Sequence, residues 1–197
     1  MKKLSMDELC RISVEEFKES DKIPLVVVLD NIRSLNNIGS VFRTADAFRV
    51  AKIMLCGITA TPPHRDIHKT ALGAENSVEW KYFETTADCI QELRTEGYKV
   101  FAVEQADESI SLQKFEVKEN DKIAVIVGNE VDGVDDEVIE LADGCIEIPQ
   151  YGTKHSLNVS IATGIVIWDV FTKLNVYYKM DRNKVKSTSK SWQAKQN

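Results

Sequence analysis

Leu25-Val-Val-Val-Leu-Asp-Asn-Ile-Arg-Ser-Leu-Asn-Asn-Ile-Gly-Ser-Val-Phe-Arg43 decides the fold. Leu25–Asp30 is a continuous apolar run closed by one acid, the pattern of a strand buried on both faces. The polar residues after it lead into a helical segment, where Asn37 is placed to cap a helix running to about Arg49. A buried strand passing through a polar loop into a helix is half of a parallel β-α-β unit. Two later stretches repeat the device: Ile126-Val-Gly-Asn-Glu-Val-Asp-Gly133 and Ile148-Pro-Gln-Tyr-Gly-Thr-Lys-His-Ser-Leu-Asn158. Ligands of open α/β sheets bind beyond the carboxyl ends of the strands. Polar residues gathered at three such ends predict one site, for an organic cofactor and an anionic substrate.

Further strands are expected at Lys52–Gly57, Val78–Phe83, Tyr98–Val103, Lys122–Val127 and Gly144–Ile148. Helices are expected over residues 6–19, Thr85–Glu96, Asp135–Ala142 and Ser156–Lys173, with 58–77 as a loop. About six strands alternating with helices are too few for a barrel and predict an open parallel sheet with helices on both faces. The last helix is apolar nearly all round, so it is expected to be buried on every side, with a dimer contact as one way to cover it.

A chain of 197 residues, 43% hydrophobic and 28% charged, is one soluble-type domain with arms. No apolar run approaches the roughly 20 residues of a membrane span, and the N-terminus lacks the apolar core of a signal peptide. Cys10, Cys56, Cys89 and Cys145 are scattered, without the paired spacing of zinc sites or disulfide frameworks. Reduced thiols and a cytoplasmic location are expected. His64 and His68 lie four apart without a third ligand, so no metal is expected. The net charge of −6 hides an asymmetry: from Thr172 onward seven basic residues face one acid, Asp181. Such a tail is either a solvated arm or a nucleic-acid arm, and Tyr177, Tyr178 and Trp192 among the lysines favour RNA, because aromatics stack on bases.

Arg43 stands one turn from Gly39 and Ala47, small neighbours that leave a guanidinium room to reach a ligand; a surface ion pair with Asp46 is the alternative. With Arg33 it suits phosphate, which arginine binds through two parallel hydrogen bonds. Gly128-Asn129-Glu130 follows a strand, where glycine lets backbone amides approach a ligand; Glu130 would hold an arginine or a cofactor amine, unless the segment is a plain turn. Gly133 adds a second flexible point. Ser156 is a natural cap for the last helix and leaves Asn158 spare. His155 is a weaker candidate for substrate contact. No phosphate-binding glycine loop, dinucleotide fingerprint or nucleophile elbow occurs.

Asn37-Ile-Gly-Ser-Val-Phe-Arg-Thr-Ala45, Gly128 to Gly133, and Ile148-Pro149 with Ser156-Leu-Asn-Val-Ser160 together resemble the SPOUT superfamily of RNA methyltransferases, in its SpoU/TrmH branch. The match runs from about Leu25 to Thr172. Each motif alone is weak, and the three in order are specific. The resemblance implies a C-terminal deep trefoil knot in the parallel sheet and a homodimer with the active site at its interface. It also implies S-adenosylmethionine held mainly by backbone groups. By position, Val103, Gly128, Asn129, Ile148, Ser156 and Leu157 would contact the cofactor. Arg43 would be the catalytic arginine, with Asn37, Glu130, Ser156 and Asn158 as partners. The implied reaction is methyl transfer to a ribose 2′-hydroxyl of RNA.

The expected organisation is an N-terminal helical extension over 1–24, a methyltransferase domain over 25–172 and a basic tail over 173–197. With no separate N-terminal RNA-binding domain in view, tRNA is favoured over rRNA. A base methyltransferase and a non-catalytic RNA-binding protein on the same scaffold, and a structural dimer with no ligand, are the rival readings.

Overall fold

The computed structural model describes residues 3–5, 9 and 11–174. The basic tail beyond Leu174, Cys10 and part of the expected first helix therefore lie outside the described residues. The chain runs α1 (Val14–Glu19), β1 (Ile23–Asp30), α2 (Leu35–Ala47), β2 (Val50–Cys56), α3 (Arg65–Ala71), α4 (Ala74–Ser77) and β3 (Glu79–Phe83). It continues through α5 (Thr86–Thr95), β4 (Lys99–Val103), β5 (Ile110–Ser111), β6 (Ile123–Val127), α6 (Asp136–Leu141), β7 (Gly144–Glu147) and α7 (Val159–Lys173). The strands form one sheet in the order β3-β2-β1-β6-β4-β7-β5, and every pairing is parallel.

Alternation along β1 splits the core. Leu25, Val27 and Leu29 point to one face and pack with residues of α2, α3, α4 and α7. Val26 and Val28 point to the other and pack with Ile90 and Leu93 of α5 and Val138 of α6. Both faces are thus covered by helices, which is why β1 and β6 read as unbroken apolar runs. Cys56, Cys89 and Cys145 are free and buried.

Three expectations change. The first helix starts at Val14, because Ser13 accepts from the Glu16 N–H while the Glu16 carboxylate accepts from the Ser13 N–H. That reciprocal pair satisfies the helix start and holds residues 11–13 outside it. The segment 58–77 contains α3 and α4 instead of being a loop throughout. Leu72 permits this by taking a left-handed conformation, φ 53°, between them; a non-glycine residue seldom does so. The sheet also gains a short seventh strand, β5, on the outer side of β7.

Candidate active site

β1, β6, β4 and β7 lie side by side in the sheet, so the polar segments following them share one edge. The loop after β1 is folded against the loop after β2. Asn31, at φ 55°, accepts the Ile58 N–H on its side-chain oxygen, and the Thr59 hydroxyl accepts the Ile32 N–H while donating to the Leu29 carbonyl. These contacts fix where α2 begins. Its N-cap is Ser34, whose hydroxyl accepts from the Asn37 N–H. Asn37 is therefore inside the helix and not its cap, and its side chain is free for other partners.

Those partners come from the other two motifs. Asn37 Nδ2 donates to Glu130 Oε1 at 3.0 Å, and Asn158 Nδ2 donates to Asn37 Oδ1 at 3.1 Å. Asn158, not Ser156, caps α7: its Oδ1 accepts from the Ser160 N–H and hydroxyl. One polar chain thus joins residues separated by more than ninety positions in sequence, and the role expected of Ser156 passes to Asn158. Ser156 itself is exposed at the approach to α7.

Among the described residues Glu130 is paired with no arginine side chain. It accepts the Arg33 and Ser34 N–H groups at 3.1 and 3.0 Å besides Asn37. Burial pushes its carboxyl up, but the Asn37 hydrogen bond and the backbone donors outweigh that and hold it below the usual carboxylate range. The Arg33 guanidinium approaches Asp132 only at 4.0 Å on the exposed surface.

The loop after β6 is a closed turn. Asn129 and Gly133 exchange backbone hydrogen bonds, and Asn129 Oδ1 accepts from the Val131 and Asp132 N–H groups. A Cβ on Gly128 would lie 2.1 Å from the Gly133 carbonyl, so glycine is required there by the turn itself. Glu104, one residue past Val103, accepts the Gln105 and Val134 N–H groups and anchors this turn to β4. Glu104 is not among the residues expected from sequence, although it stands just beyond a strand end like the other motifs.

Val103 pairs with Ile146, which sets the ends of β4 and β7 side by side. From Ile148 to Leu157 the chain leaves the sheet. Among the described residues its backbone is engaged only through the His155 carbonyl, which accepts from Gln105 Nε2. The His155 ring is exposed. Unspent backbone donors and acceptors next to the end of β4 suit a cofactor gripped by main-chain groups, so the residues present fit the expected S-adenosylmethionine.

Arg43 lies six residues beyond Asn37 on α2, about 9 Å along the helix axis. It is exposed, and among the described residues it has no hydrogen bond or ion pair. Asp46 is not its partner, because that carboxylate accepts from the Ser77 hydroxyl. Gly39 does not make room for the guanidinium either. It is buried against α3, where an added Cβ would meet Ile67 O at 2.3 Å and Thr70 Oγ1 at 2.2 Å. Arg43 instead lines a cavity of about 600 Å³ with Arg11, Ala47, Phe48, Arg49 and Phe171. Beside it α7 is only partly covered: Ile161, Ile165 and Trp168 are exposed, Trp168 by 54%. Among the described residues α7 is thus not buried on all sides: α2, β1 and the turn at Leu112–Lys114 pack on it and leave these three side chains uncovered.

A model of the SpoU rRNA methylase family matches residues 24–168. The chain belongs to that family. This SpoU-family chain is 30% identical over 162 residues to the tRNA (guanosine(18)-2'-O)-methyltransferase of Aquifex aeolicus, covering 79% of its own length and 72% of that protein. It is 28% identical over 145 residues to a 23S rRNA (guanosine-2'-O-)-methyltransferase of Xanthomonas axonopodis pv. citri, covering 74% and 57%. Among solved structures it resembles the A. aeolicus TrmH/SpoU tRNA modifying enzyme, with TM-score 0.72, 26% identity and 81% of each chain covered. An AdoMet-bound rRNA methyltransferase from Sinorhizobium meliloti gives TM-score 0.71 and 28% identity, covering 80% of this chain and 60% of the other. No helix among the described residues is long and apolar enough to cross a membrane.

Proposed function

We propose that the chain is an S-adenosylmethionine-dependent RNA methyltransferase acting on a ribose 2′-hydroxyl, with tRNA as the favoured substrate. The observation that carries this is the hydrogen-bonded chain Glu130–Asn37–Asn158, which gathers all three motifs around the start of α2 while Arg43 stays unengaged among the described residues. The main chain at Val103, Gly128, Ile148, Ser156 and Leu157 would hold the cofactor, while Asn129, its own N–H and C=O paired with Gly133, keeps the turn that presents Gly128. When bound, the cofactor supplies a methyl group on a sulfonium, so the protein has no leaving group to polarise.

What remains for the protein is alignment and charge, and alignment is a large part of catalysis. Arg43 grips the substrate phosphate and places a fixed positive charge beside the 2′-hydroxyl, which eases loss of its proton. It is not the proton acceptor, because a guanidinium gives up its own proton only above about pH 12. Glu130 is a poor base, since its lone pairs are committed to three donors and its pKa is lowered. It positions the Arg33–Ser34 backbone and Asn37. Asn37 and Asn158 hold the motifs in register and present amide groups to the ribose.

The C-terminal part of the sheet forms a trefoil knot in this reading. The strand order supports it, with β6 inserted between β1 and β4 and β7 returned to the far side of β4. The active unit is a homodimer in which a second copy covers Ile161, Ile165 and Trp168. The Phe48–Trp168–Phe171 aromatic cluster next to Arg43's cavity supports that placement. The test is methyl transfer from labelled S-adenosylmethionine to separated tRNA and rRNA lacking the modification, followed by nucleoside analysis. A 2′-O-methylnucleoside from tRNA is expected; a methylated base would overturn the reaction, and transfer to rRNA alone would overturn the substrate.

A further inference from the structure

The cavity that Arg43 lines is charged well beyond that one residue. Three arginines stand on its wall, Arg11, Arg43 and Arg49, against one acid, Asp46. The Asp46 carboxylate accepts from the Ser77 hydroxyl. Among the described residues neither Arg11 nor Arg49 has a side-chain hydrogen bond or an ion pair. Lys22 deepens the imbalance. Its ammonium donates to the Phe17 and Ser20 carbonyls and lies 4.4 Å from the centroid of the Phe17 ring. Burial first and the Arg49 charge second push its pKa down, against Asp21 and Glu79. Arg49 therefore stands beside a second cation.

Arg49 is the unusual member of the set. The C-cap of α2 is Phe48, so Arg49 is the first residue past the helix, and it takes a left-handed conformation, φ 52°. Glycine is the usual residue there, because a Cβ is crowded in that conformation. The backbone of Arg49 is held from both sides: its N–H donates to the Asp46 carbonyl, and its own carbonyl accepts the Ile23 N–H at the start of β1. Glycine would make both of these bonds. What arginine adds is only its side chain, and that side chain serves no partner in the described fold. An arginine that strains the backbone, lacks a partner and shares a cavity with two more is placed for an anion.

The anion's chemistry follows from the row. A guanidinium matches phosphate through two parallel hydrogen bonds. Arg49 comes six residues after Arg43, roughly 9 Å further along α2. One small anion would satisfy one arginine, whereas a strand with a charge on every nucleotide satisfies the row. We propose that Arg49, together with Arg11, binds backbone phosphates of the RNA substrate beside the phosphate held by Arg43, and so positions the strand along the end of α2. The proposal rests on the RNA-methyltransferase reading and extends it away from the reacting atoms.

The experiment measures binding of tRNA lacking the modification to the full chain as salt is raised from 50 to about 300 mM, for wild type and for Arg49→Gly, Arg49→Lys and Arg11→Gln. Losing one phosphate contact should lower the slope of log affinity against log salt by about 0.7–0.9, and weaken binding about five- to eightfold at 0.1 M salt. Arg49→Gly and Arg11→Gln should each do this, and Arg49→Lys should restore most of it. Glycine suits the left-handed position, so the melting midpoint of Arg49→Gly should stay level or rise while RNA binding falls. A structural role for Arg49 would give the reverse, a lowered midpoint with an unchanged slope. That result, no RNA binding by the wild type, or polyglutamate displacing tRNA as well as a second RNA does, would overturn the proposal. The changed slopes without any methyl transfer would leave the phosphate contacts standing and fail the methyltransferase reading. Methyl transfer with unchanged slopes would fail the contacts alone.

Discussion

The two halves of α2 are built differently. The first half is committed: Ser34 caps it, Asn37 is held from two sides, and Gly39 is pressed against the backbone of α3. The second half carries Arg43, exposed and unpaired among the described residues. Rigid parts of a protein usually carry its stability, and groups left without partners are available for ligands. The contrast assigns architecture to the start of the helix and chemistry to Arg43. It also predicts that the two can be broken separately.

The largest effect should come from Arg43→Ala. Methyl transfer should fall by about 10²–10³-fold, the usual loss when a fixed electrostatic group is removed from a transition state. Thermal stability and S-adenosylmethionine affinity should stay near wild type, because Arg43 holds no other described residue in place. A matching fall in cofactor affinity would mean that Arg43 belongs to the scaffold. Gly39→Ala should do the reverse. Its methyl group would overlap Ile67 O, a backbone atom that cannot rotate away, so α2 and α3 must separate. A cost of about 1–3 kcal/mol is expected, read as a lowered midpoint in thermal or urea unfolding. An unchanged midpoint would show that the helices slide freely.

Asn158 sharpens the comparison, because it both caps α7 and bridges to Asn37. Asn158→Ala removes both functions and should cost about 1 kcal/mol with loss of activity. Asn158→Asp keeps a good cap but has no N–H to give the Asn37 oxygen. It should unfold within about 0.5 kcal/mol of wild type and still lose activity. Full activity in the Asp variant would reduce the bridge to decoration.

Why the sequence reading succeeded in some places and failed in others follows from where each signal resides. β1 and β6 were legible because burial on both faces writes itself into consecutive residues. The three polar segments were legible because each directly follows a strand. The caps were misread because Ser34, Asn36 and Asn37, like Ser156 and Asn158, are all locally suited to capping. What selects among them is a partner 93 or 121 residues away. α3 and α4 were missed because Pro62-Pro63 and Gly73 look like loop residues, and because a left-handed leucine at 72 has no local signature. Gly39 was credited to Arg43 because its real neighbour, Ile67, belongs to a helix the sequence did not reveal.

The smallest expected effect concerns two carboxylates at the same edge of the sheet, Glu130 and Asp30. Donors hold Glu130 below its ordinary value. Its contribution is therefore present above the unfolded pKa, about 4.3, and lost as pH falls through the lower folded value. Asp30 goes the other way: burial and the nearby Asp135 carboxylate raise it against the Thr86 hydrogen bond. A raised acid favours the fold most below its unfolded pKa, about 3.9, and loses that contribution as pH rises through the folded value. Chemical denaturation from pH 3 to pH 7 should separate them. Glu130→Gln should lose stability relative to wild type as pH rises through the carboxylate range, and Asp30→Asn should gain it. Curves that move together would mean that the two acids titrate as one group. The committed loop around Glu130 would then be electrostatically joined to the buried end of β1, and the division between architecture and chemistry at this edge would have to include Asp30.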